Sequence, residues 1–218
     1  MSFEFIEAEG FVLAGGRSTR MGQDKALLRV GRYSLLELAL EKLRAVPINA
    51  APRIAGGRSE LQSHGVIISD LHPGCGPLSG IEAALAASSH ALNIFLPVDM
   101  PLLPPGFLTW MLRRAQITGS LATVPRLNGL PQPLCAVYRR QLLNSISAAL
   151  PAGNYKVMSV VSAAVAQDES IDVFNVENLA SIDPSLRDLT PLPLHKWFHN
   201  CNTPHDVAEV ENALVFTQ

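Results

Sequence analysis

Near the N-terminus, three cations are set among glycines in a spacing suited to phosphate. The segment Leu13-Ala14-Gly15-Gly16-Arg17-Ser18-Thr19-Arg20-Met21-Gly22-Gln23-Asp24-Lys25-Ala26 begins inside the apolar run Phe11-Val12-Leu13-Ala14. Glycines let a backbone approach a phosphate closely, and successive N–H groups can then point at its oxygens. Arg17, Arg20 and Lys25 supply the positive charge that a triphosphate requires. The spacing fits neither a Walker A loop nor G-x-G-x-x-G, which excludes both of those phosphate cradles. On spacing alone, a polar surface loop with solvated cations stays open beside the phosphate reading.

Two carboxylates follow apolar runs in the same manner. Asp99 comes directly after Asn93-Ile94-Phe95-Leu96-Pro97-Val98. There it suits magnesium, a hard cation that takes few protein oxygens and keeps phosphate and water as its other ligands. It equally suits a carboxylate leading into the next helix. Asp70 ends Val66-Ile67-Ile68-Ser69 and precedes Leu71-His72-Pro73-Gly74-Cys75-Gly76. By itself it reads as a turn residue, because aspartate favours turns on its own account. His72 is read as a loop histidine and not as a catalyst.

Elements must bring these residues together. Phe11–Ala14, Arg53–Ala55, Val66–Ile68 and Leu92–Val98 read as buried strands, and Leu121–Val124 and Leu134–Tyr138 as further ones. Between them Ser34 caps a helix to about Arg44, Leu78–Ala87 is helical, and Pro104-Pro105 opens a helix over Phe107–Gln116. Arg140–Leu150 reads as a helix, while Ala163–Gln167 and Ile171–Asn175 read as segments that pair or return to the sheet. Thr203-Pro204 starts a terminal helix to about Leu214. This alternation predicts an α/β fold, a Rossmann-like three-layer α/β/α sandwich with a mainly parallel central sheet. In such sheets ligands sit beyond the carboxyl ends of the strands, where Gly15 and Asp99 both fall. The organisation expected is one domain over 1–218, with an N-terminal extension at 1–9 and an irregular insertion or flap at 177–195 carrying three prolines.

The glycine segment resembles the signature L-x-G-G-x-S-x-R-M-G-x-D-K of the molybdenum cofactor guanylyltransferases, the MobA-type nucleotidyltransferases. Related sugar-phosphate nucleotidyltransferases and molybdopterin cytidylyltransferases are similar, but usually carry L-A-A-G where this chain has Leu13-Ala14-Gly15-Gly16. The resemblance implies that Leu13, Ala14, Gly15, Gly16 and Arg17 contact the nucleotide and that Lys25 holds its phosphates. It makes Asp99 the magnesium ligand, although Val98 stands where the family has cysteine. Asp70 matches the aspartate that contacts the guanine nucleotide, and Gly76-Pro77-Leu78-Ser79-Gly80 resembles the G-P-L-x-G element near the base. On the acceptor side, Gly129–Tyr138, with Pro133, is similar to the family's G-x-x-x-P-L-x-A-x-Y run. Asn200-Cys201-Asn202-Thr203-Pro204 is similar to its N-x-N-T-P element. Asn200 and Asn202 can orient pterin or phosphate groups, or simply form a capping turn. At Tyr155-Lys156 the family has a basic pair, and only Lys156 keeps the charge.

The implied reaction is transfer of GMP from GTP to molybdopterin carrying molybdenum, with Lys25 and Arg17 or Arg20 offsetting charge on the leaving pyrophosphate. Cytidylyl transfer, uridylyl transfer to a sugar phosphate, and a nucleotide-binding adaptor without turnover are the rival readings. Net charge is −2 with no long basic run, which argues against a nucleic-acid surface. Cys75, Cys135 and Cys201 form no C-x-x-C pair, so neither a zinc site nor a disulfide framework is indicated. No signal peptide and no membrane span are read, making the cytoplasm the expected compartment. The partners expected are the small-molecule substrates, with transient contact to proteins that make or receive the cofactor.

Overall fold

The computed structural model describes residues 5–15, 24–165, 169–179, 183, 184, 186, 189 and 191–215. Its strands are β1 (Ala8–Leu13), β2 (Arg29–Val30), β3 (Tyr33–Ser34), β4 (Arg53–Ala55), β5 (Ile67–Ile68) and β6 (Leu92–Pro97). They continue with β7 (Ala122–Leu127), β8 (Leu130–Pro131), β9 (Ala136–Arg139) and β10 (Ile171–Asn175). The helices are α1 (Leu35–Arg44), α2 (Pro77–Ala87), α3 (Pro105–Thr118), α4 (Leu143–Ala149), α5 (Val157–Ala163), α6 (Leu194–Trp197) and α7 (Pro204–Val215).

Every residue of β1 and of β6 is buried, as a strand covered on both faces requires. β1 pairs in parallel with β6 on one side and β4 on the other, and β5 extends the sheet beyond β4. Beyond β6 the order is β9, β7, β10. β9 runs antiparallel to both its neighbours, and β10 is parallel to β7. The sheet is therefore mainly parallel, with β9 and the short β8 reversed.

Alternation along the strands feeds two cores. Val12, Ile94 and Leu96 face α1, α3, α6 and α7, while Phe11, Leu13 and Phe95 face α2, α4 and α5. Across the second face the Phe11 and Phe95 rings stack at 5.3 Å, and Phe95 meets Tyr138 at 5.7 Å. Helix starts follow local chemistry. Ser34 and Glu37 form a reciprocal capping box at α1, with bonds of 3.2 and 2.7 Å. Proline stands at the start of α2 and of α3, where its missing N–H has no intrahelical partner to lose.

Three expectations change. β1 starts at Ala8, so Ala8 and Glu9 belong to the sheet rather than to an extension reaching residue 9. Ala163 ends α5 and Ala164 forms its cap, so no strand begins there; Ala166 and Gln167 lie outside the described residues. Val157, Val160 and Val161 are buried at helical spacing, an apolar stripe whose β-branched residues carry weak helix propensity. Arg140–Leu150 splits into a 3₁₀ turn, Arg140–Leu142, and α4. Of the stretch 177–195, Leu179 and Leu186 are buried in the first core, and Trp197 of α6 packs 5.6 Å from the Phe107 ring.

Candidate active site

The chain leaves β1 for β4 and β5, then returns to β6 on the opposite side of β1. The crevice between the carboxyl ends of β1 and β6 is thus the point where strand order reverses. Ladder bonds persist past the strand ends: Val98 N–H donates to the Leu13 carbonyl at 3.3 Å, Ala14 N–H to Ala55 at 3.0 Å, and Gly56 N–H to Ile68 at 3.0 Å. Four loops accordingly depart from one rim.

Lys25 enters this rim through local capping. Asp24 accepts from the Ala26 N–H at 3.0 Å and starts the one-turn 3₁₀ helix Lys25–Leu27. The Lys25 Nζ donates to Asp99 Oδ2 at 2.7 Å and to Asn202 Oδ1. The lysine and aspartate side chains are 21% and 23% exposed, open enough to meet a ligand and shielded enough for their charges to matter. Asn202 arrives from the far end of the chain because Cys201 N–H donates to the Asp99 carbonyl at 2.8 Å. Asp206 then accepts from the N–H groups of Asn202 and Thr203 at 2.8 and 2.7 Å, capping α7.

The chain segments leaving β1 and β4 pack closely on one another and on Asp70 through glycines. A Cβ on Gly56, whose φ is +70°, would stand 3.2 Å from Asp70 Oδ1 and 3.3 Å from the Gly15 Cα. One on Gly80 would meet Leu13 at 3.5 Å and Asp70 Oδ1 at 3.6 Å. Asp70 Oδ1 is buried and has no hydrogen-bond partner among the described residues. Burial raises this carboxyl above the usual carboxylate range. The Asp70 loop is pinned to α2: His72 N–H donates to Ser79 Oγ at 3.0 Å, and the His72 Nδ1 lies 2.7 Å from the buried Glu82 carboxylate. His72 is thereby engaged in holding the loop. Gly76, at φ +73°, turns the chain into Pro77 and the buried Leu78 of α2.

Leu13, Ala14, Gly15, Lys25, Asp70, Gly80, Asp99 and Asn202 thus gather along the carboxyl rim. Gly16, Arg17 and Arg20 lie outside the described residues. On the acceptor side, the Pro133 carbonyl accepts from the buried Tyr138 hydroxyl at 2.6 Å. Burial, and then the Asp99 carboxylate, push the Cys135 thiol up, so this loop passes close to Asp99. Asn200 is exposed in the turn before Asn202. Tyr155, in place of a cation, reaches Cys75 in the loop before α2. Sequence reasoning missed Gly56, Asp24 and Asp206. The signal for Gly56 was present, since Gly56-Gly57 follows a strand as Gly15-Gly16 does.

In-line transfer of a nucleotidyl group needs phosphates held over one strand end and a base seated beside it. An α/β sheet laid out in this way suits a nucleotidyltransferase. The model of the MobA-like NTP transferase domain matches residues 10–169, and the chain belongs to that family. A probable molybdenum cofactor guanylyltransferase of Pelotomaculum thermopropionicum is 34% identical, over 94% of this chain and 92% of the relative. One of Methanothermobacter thermautotrophicus is 31% identical over 90% and 95%. Among solved structures, molybdopterin-guanine dinucleotide biosynthesis protein A from Archaeoglobus fulgidus superposes with a TM-score of 0.74 at 25% identity, covering 95% of this chain and 98% of that one.

Proposed function

We propose that the protein transfers GMP from GTP to molybdopterin carrying molybdenum, releasing pyrophosphate and forming the guanine dinucleotide cofactor. The observation that carries this reading is the convergence of Lys25, Asp99 and Asn202 next to the unpartnered Asp70 oxygen. The names of the relatives support the same donor and acceptor. A carboxylate only accepts hydrogen bonds, and guanine offers two adjacent N–H donors on its pairing edge where cytosine and uracil offer one each. Asp70 therefore favours guanine in the glycine-lined crevice.

The terminal phosphate of the acceptor is already ionised near neutral pH and attacks the α-phosphorus in line, so no general base is required. The protein's task is positioning and charge compensation. Lys25 is held at the rim by two acceptors before any phosphate arrives, so its charge need not be reorganised. Arg17 and Arg20 are proposed to share that task at the leaving pyrophosphate, Gly16 to line the phosphate loop, and Pro133, Asn200 and Asn202 to face the pterin. Magnesium belongs to the proposal because the donor chemistry fits: Asp99 is a single, partly open, hard carboxylate beside the phosphate lysine. When bound, the ion neutralises and aligns phosphate oxygens. Among the described residues no helix is long and apolar enough to cross a membrane; the proposed setting is the cytoplasm, with transient contact to proteins that make or receive the cofactor.

The test is pyrophosphate release with metal-loaded molybdopterin and each of GTP, CTP, UTP and ATP. GTP alone is expected to turn over. A preference for CTP or UTP would overturn the guanine assignment. Calorimetric GTP binding without product from any nucleotide would make the protein a binder and not a transferase.

A further inference from the structure

The turn that delivers Asn202 carries a second cluster with metal-binding chemistry, separate from Asp99. His199 Nε2 lies 3.4 Å from Glu209 Oε2 and 3.9 Å from Asp206 Oδ1, and the three ligand atoms all fall within 4.8 Å of one another. Among the described residues this is the one group of three such side chains. Asp206 spends its other oxygen, Oδ2, on the N–H groups of Asn202 and Thr203, which leaves Oδ1 turned towards the histidine. His199 Nε2 is itself buried and makes no hydrogen bond with the described residues.

That orphan nitrogen is the informative feature. A bare imidazole lone pair facing two carboxylates is repelled by both, so an electrophile belongs between them: a proton or a metal. A proton would leave the nitrogen in ion-pair range of both carboxylates, at 3.4 and 3.9 Å, and a metal ion would draw on the same three donors. Two donors on one zinc ion, each at about 2.0–2.2 Å, stand roughly 3.3–3.5 Å apart in tetrahedral geometry. The His199–Glu209 separation matches this, and the Asp206 oxygen, 3.9 Å from the histidine and within 4.8 Å of the glutamate, has to draw inward to complete the site.

We propose that His199, Asp206 and Glu209 bind one divalent transition-metal ion of the zinc class, with water as the fourth ligand. The nitrogen ligand separates this site from the magnesium expected at Asp99, since imidazole suits zinc and its neighbours while magnesium takes oxygen. Its role is positional. The ion fixes the same carboxylate that caps α7 and holds the Asn202 backbone, and so sets how Asn202 meets Lys25.

Calorimetry of the metal-free full chain with zinc, in excess magnesium, reads the site directly. One zinc per chain is expected. His199→Gln and Glu209→Gln should each weaken it at least about tenfold, while Asp99→Asn and His205→Gln retain it. Circular dichroism confirms that each variant is folded. Cobalt substitution of the unmutated protein gives an independent reading: a visible ligand-field band without thiolate charge transfer, which distinguishes these ligands from the nearby Cys201. No zinc binding, zinc binding indifferent to His199→Gln and Glu209→Gln, or a thiolate band would each overturn the proposal. None of these readouts depends on which nucleotide or acceptor the protein uses.

Discussion

At the scale of single residues, the proposed reaction divides nucleotide recognition between Lys25 and Asp70. Lys25→Ala removes a charge already poised for the phosphates, and kcat/KM should fall about 10²–10³-fold, as for loss of one preorganised electrostatic donor. Its pair with Asp99 is partly solvated, so stability should change by no more than about 1 kcal/mol. Steady-state kinetics beside thermal unfolding check both; unchanged kinetics would make Lys25 a surface residue. Asp70 makes stability and binding depend on pH. Its folded carboxyl titrates above the unfolded one, so the stability it contributes is complete below the unfolded pKa and is lost as pH rises through the folded value. Asp70→Asn keeps the shape and never ionises, so at neutral pH the free variant should be more stable than the parent. GTP needs the ionised carboxylate, so parental affinity should fall as pH drops through the raised pKa, whereas the variant binds weakly without that slope. Calorimetry across the acidic range distinguishes the two. Lys25 and Asp99 stand out in the sequence because Lys25 belongs to the cation cluster of the glycine segment and Asp99 directly follows a strand-like run. The Asn202 partnership does not, because 177 residues separate it from Lys25 and no local pattern encodes such a contact.

At the scale of elements, strand ends matter more than strands. Gly56 and Gly31 both have positive φ, +70° and +59°, but only Gly56 is crowded; nothing lies within 4 Å of a Cβ on Gly31. Gly56→Ala should therefore carry both backbone strain and a clash with Asp70 and Gly15, costing about 1–3 kcal/mol and weakening GTP at least about tenfold. Gly31→Ala should show the strain alone, with GTP affinity unchanged. Equal GTP affinity in the two variants, measured by calorimetry, would mean that the rim at Gly56 and Asp70 does not hold the nucleotide. Capping chemistry made α1, α3 and α7 readable to within a residue or two, since Ser34, Pro104-Pro105 and Thr203-Pro204 act locally. No element was read at 157–162, because β-branched valines carry weak helix propensity although their spacing serves a helix face. Tertiary packing decided that contest.

At the scale of the whole molecule, the α/β alternation announced the sheet, but not the reversal at β9, because buried strands are apolar whichever way they run. The proposed ligand site lies where segments distant in sequence meet: the ends of β1, β4 and β6, the Asp70 loop, and the turn before α7. A nucleotide seated there would bind the folded chain and have no equivalent site on the unfolded one. By linkage, GTP with magnesium at a hundred times its dissociation constant should add about 2.7 kcal/mol. For a chain of this length that is a rise in Tm of about 5–10 °C. CTP at the same concentration should add far less, because Asp70 would meet one donor instead of two. Asp99→Asn should lose the increment that magnesium provides and keep the increment that GTP provides alone. Thermal unfolding across these four conditions is the measurement. A CTP shift equal to that of GTP would remove base recognition from Asp70, and an Asp99→Asn protein still responding fully to magnesium would move the ion elsewhere on the rim.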